Sequence, residues 1–100
     1  MKTKEIKSKR VQKLIAANIV TKVRETLSWN QDVKIGVNET DNLIVIRVTE
    51  CGIISSVSLT YLIDIAEGYK KTYPTDVSYY IAIDHWLDIP TFKIIVKLEK

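Results

Sequence analysis

The chain has 100 residues, 46% hydrophobic and 27% charged, with a net charge of +3 and a pI near 9.0. That length and balance describe one globular domain, residues 1–100, able to build a core without metals or disulfides, and they exclude a disordered chain. No apolar run approaches the ~20 residues of a membrane helix, no apolar segment follows the N-terminal lysines as in a secretory signal, and a single cysteine, Cys51, rules out an internal disulfide. The expected location is therefore a reducing cytoplasm.

The charge is uneven. Lys2, Lys4, Lys7, Lys9, Arg10 and Lys13 stand against Glu5 alone in the first thirteen residues, whereas the rest of the chain holds nine basic and eleven acidic side chains. The body is mildly acidic and the high pI comes from one end, with residues 1–7 expected to fray. Over the stretch KSKRVQKLI this end resembles ribosome-binding factor A; no other motif extends the likeness, and no family follows from it.

In residues 8–28, Ile15, Ile19, Val23 and Leu27 recur every fourth position, with Ala16 and Val20 beside them and Ser8 placed to cap, which predicts a helix. Val33, Ile35 and Val37 then alternate with Lys34, Gly36 and Asn38 as a strand. Glu39-Thr40-Asp41-Asn42 is turn chemistry. The strand Leu43–Thr49 is apolar on both faces, which predicts a central position.

Cys51-Gly52 breaks this strand. A second helix is expected from Ser55 or Ser56 to about Tyr73, stopped by Pro74, with Gly68 inside it. Val77–Asp84 and Thr91–Leu98 alternate as two further strands. The helix-to-strand joints Trp29-Asn30-Gln31-Asp32-Val33 and Tyr73-Pro74-Thr75-Asp76-Val77 share an aromatic-x-x-Asp-Val pattern, readable as a duplication or as two solutions to one turn.

The order is α-β-β-α-β-β. Each hairpin pairs its own strands, and the long crossover between them lets the fourth strand lie between the second and third. The expected fold is α+β, a two-layer α/β sandwich. Its four-stranded antiparallel sheet has order 1-2-4-3, with both helices on one face, a permuted relative of the ferredoxin-like plan. The open face is then expected to show Lys34, Leu43, Val45, Arg47, Tyr80, Ala82, Lys93, Ile95 and Lys97, an apolar strip ringed by basic side chains.

Asp84-His85-Trp86-Leu87-Asp88 concentrates the only histidine, a tryptophan and two carboxylates. A Cys51–His85 enzyme with Asp84 or Asp88 orienting the imidazole is one reading. The strand order opposes it, because two strand spacings, about 10 Å, separate the ends that carry the pair. One His and one Cys are also too few for zinc. The plainer reading is a hairpin turn whose Trp86 packs on a sheet edge or meets a partner. The three glycines are far apart, so no phosphate-binding loop is formed.

These features favour a non-enzymatic protein-interaction domain, homodimeric through Leu43, Val45, Tyr80, Ala82, Ile95 and Trp86, that binds or inhibits a protein partner. No cofactor, metal or membrane contact is expected. The alternative is a nucleic-acid-binding protein using Lys4, Lys7, Lys9, Arg10, Lys13, Lys34, Arg47, Lys93 and Lys97 with Tyr80. The third reading is the cysteine-dependent enzyme.

Overall fold

The structure, a computed structural model, describes residues 6–83, 85 and 88–98. The elements follow in the expected order: α1 Lys9–Thr26, β1 Val33–Glu39, β2 Leu43–Glu50, α2 Ser56–Thr72, β3 Val77–Ile83 and β4 Pro90–Lys97. Both helices start on serine caps. Ser8 accepts from the Val11 N–H at 3.2 Å and Ser55 from that of Ser58 at 3.1 Å, each satisfying an orphan donor of the first turn.

The sheet order is β1-β2-β4-β3, with every neighbouring pair antiparallel. The buried strand residues are Ile44, Ile46 and Val48 of β2, Phe92, Ile94 and Val96 of β4, and Val77 of β3. Paired in register, they all lie on one face. They form one cluster with Ile15, Ile19, Val23 and Leu27 on one side and Leu62, Ile65 and Ala66 on the other, so both helices cover that face. Full burial of each such side chain contributes about 1.5–3 kcal/mol against leaving it exposed.

Gln12 and Asp76 are two of the buried polar residues. Gln12, one turn before Ile15 and Ala16, is fully buried and donates from Nε2 to the Val96 carbonyl at 3.0 Å. Asp76, just before β3, is also buried and accepts from the Ile6 N–H at 2.9 Å, fixing the start of the described chain to β3.

The two joints differ in geometry. The C-cap of α1 is Leu27, two residues before Trp29, whereas that of α2 is Tyr73 itself. Trp29 is exposed and Tyr73 packs against the core; Asp32 is exposed and Asp76 buried. The shared pattern thus covers two different turns.

Candidate functional site

The face opposite the helices follows from the register. Its rows across the sheet are Leu43–Lys97, then Asn38–Val45–Ile95–Ser78, then Gly36–Arg47–Lys93–Tyr80, then Lys34–Thr49–Thr91–Ala82. Leu43, Val45 and Ile95 are half-buried; Lys34, Arg47, Lys97 and Tyr80 are exposed. The Lys93 ammonium sits 5.9 Å from the centre of the Tyr80 ring, within cation–π range.

Lys97 lies beside Leu43 at one end of the apolar strip, and Arg47 and Lys93 are cross-strand partners that bound its Val45–Ile95 row at the other. One feature departs from the expected surface: the face is closed at one end within the chain. Thr91 is only 2% exposed, its hydroxyl donates to the Ile89 carbonyl at 3.3 Å, and both line a depression of about 180 Å³ with Asp32, Lys34, Arg47, Thr49, Glu50 and Cys51. The open area therefore runs from the Leu43 row to the Arg47 row, and Ala82, half-buried, belongs to the closed end.

Beside that depression, Glu50 ends β2 and faces the start of α2. Its Oε1 accepts from the Ser55 N–H at 3.2 Å and lies 3.2 Å from Ser55 Oγ. Ser55 Oγ is 3.0 Å from Ser58 Oγ, which accepts from the Asn30 amide at 3.4 Å. Partial burial pushes the carboxyl up, but hydrogen bonding with Ser58, the Ser55 backbone, Asn30 and the Ser55 hydroxyl outweighs it, leaving Glu50 below its ordinary value of 4.5. The group acts as an anionic cap on α2. Sequence reading missed it; a Glu five residues before an N-cap serine was the available signal.

Cys51 and His85 are both exposed. Cys51 lines the depression and His85 does not. Among the described residues no three His, Cys, Asp or Glu side chains come together as a metal site. Asp88 has a φ of 50°, the left-handed turn conformation that Asp tolerates. Asp84, Trp86, Leu87 and Lys4 lie outside the described residues.

The basic start of α1 is not continuous with the basic sheet face. Lys9 and Lys13 reach towards Asp41 and Glu39 at the β1–β2 turn, at 4.0 and 3.9 Å. Such exposed pairs contribute at most about 1 kcal/mol each. They still offset cations crowded at a helix N-terminus, where the macrodipole disfavours positive charge. Lys7, Lys9, Arg10 and Lys13 thus belong to the helix layer, and Lys34, Arg47, Lys93 and Lys97 to the opposite face.

Among the described residues no helix is long and apolar enough to cross a membrane. No protein-family model and no curated protein matches the chain.

Proposed function

We propose that this chain is a small non-enzymatic interaction domain that binds a protein partner, inhibiting or scaffolding it, through the helix-free face of its sheet. The observation that carries the reading is the interleaving of Leu43, Val45 and Ile95 with Arg47, Lys93 and Lys97 on one face of the two central strands. The described strand positions of this face contain no carboxylate. Its complement is a protein surface that sets carboxylates between aliphatic side chains.

A second copy stacked face to face is the other occupant of this surface. Stacking about a central two-fold brings Arg47 and Lys93 against the same cations, and like-charge juxtaposition costs up to several kcal/mol. An acidic partner meets no such cost. Single-stranded nucleic acid is favoured by the Tyr80–Lys93 pair, but among the described residues of this face it finds one aromatic, on an edge strand, where stacking platforms use several.

The test is fluorescence anisotropy with three probes: a peptide alternating Glu with Leu and Val, its Lys-substituted counterpart, and an oligothymidine. The acidic peptide is expected to bind, more weakly as salt rises, and to lose at least tenfold in affinity against an Arg47→Glu/Lys93→Glu protein. Failure of the acidic peptide to bind, or indifference to the double reversal, removes the reading. Binding of the oligothymidine that disappears with Tyr80→Ala replaces it with the nucleic-acid reading.

A further inference from the structure

The sheet has two outer strands, β1 and β3, and they are built differently. β1 carries Lys34, Gly36, Asn38 and Glu39, the charged and β-poor residues that blunt an edge against pairing. β3 reads Val77-Ser78-Tyr79-Tyr80-Ile81-Ala82-Ile83, without charge, proline or glycine. Its ladder with β4 is unbroken from Val77↔Val96 to Ile83↔Pro90, so no bulge bends it away. Among the described residues no strand pairs with its outer side, where Ile81 is 51% and Ile83 64% exposed.

We infer that β3 is where two copies of this chain join, antiparallel and edge to edge, into one continuous sheet. The occupant follows from charge and register. An uncharged strand meets its own copy with no like charges brought together. A two-fold through Tyr80 uses all seven residues, setting Val77 opposite Ile83, Ser78 opposite Ala82, Tyr79 opposite Ile81, and Tyr80 opposite itself.

Alternation keeps Val77, Tyr79, Ile81 and Ile83 on the helix side, where the exposed isoleucines gain a tyrosine and a valine as cross-strand neighbours. Above Tyr79 the flank is neutral: its hydroxyl donates to Glu67, and the Lys70 ammonium lies 5.6 Å from its ring centre. Both helix layers then fall on one side of the joined sheet and both open faces on the other, so the contact leaves the partner surface described above free.

The experiment is sedimentation velocity over a range of concentrations in a Cys51→Ser background. The parent protein is expected to dimerise reversibly. Ile81→Lys, and separately Ser78→Lys, should raise the dimer dissociation constant at least tenfold with an unchanged circular dichroism spectrum. Val37→Lys on the opposite edge should leave it unchanged. Tyr80→Cys should form a disulfide-linked dimer on mild oxidation. A monomer at every concentration overturns the inference. So does a dimer indifferent to both β3 lysines, or one abolished instead by Arg47→Glu/Lys93→Glu.

Discussion

Arg47 and Lys93 are direct cross-strand partners at the middle of the sheet, both on its helix-free face. Like charges directly opposite each other weaken a sheet by roughly 0.2–1 kcal/mol. Lys93→Glu, which turns the repulsion into attraction, is expected to stabilise the free protein by about 0.5 kcal/mol in urea denaturation while abolishing binding of an acidic peptide. Equal loss of stability and binding would show that Lys93 serves the fold instead.

Glu50 gives a pH dependence of defined sign. Its folded pKa lies below its ordinary value, so its contribution is fully present above about 4.5 and is lost as pH falls through the folded value. Glu50→Gln should therefore cost about 1 kcal/mol or less at pH 7, given the exposure of the site to solvent. The two proteins should converge in stability as the pH falls through the lowered folded pKa of Glu50. Urea midpoints across pH 3–7 check this.

Asp76 is the buried anchor of Ile6. Asp76→Ala leaves the Ile6 N–H without its partner and should destabilise by about 2 kcal/mol, and Asp76→Asn, which keeps an acceptor, by less. Thermal unfolding of the two variants separates them.

Gly68 lies in α2, lining a groove of about 370 Å³ with Lys22, Asp64, Ile65, Tyr69, Thr72 and Tyr73. A Cβ added there meets nothing within 4 Å. Gly68→Ala should therefore stabilise the helix by about 0.5–1 kcal/mol, read as a higher urea midpoint. No close approach among the described residues requires this glycine.

Alternation was enough to read all four strands, and the apolar residues on both faces of Leu43–Thr49 marked that strand as central. The sheet order followed from crossover handedness and loop length. The row each lysine occupies was not legible. It depends on the β2–β4 register, which is set by packing between segments far apart in sequence and places Arg47 opposite Lys93. Gln12 was also missed: its position predicts burial, but its amide partner, the Val96 carbonyl, belongs to another layer. The repeated Asp of the two joints could not reveal which carboxylate would be enclosed, since that depends on Ile6 arriving from elsewhere in the chain.

The strand order also has a consequence in time. β4 follows the other three strands in the sequence yet lies between β2 and β3. Without residues 90–97, β2 and β3 have no common partner, and Ile44, Ile46 and Val48 lack the neighbours that β4 brings. The sheet is complete only once residues 90–97 take their place between β2 and β3, so its formation depends on pairing between segments distant in sequence.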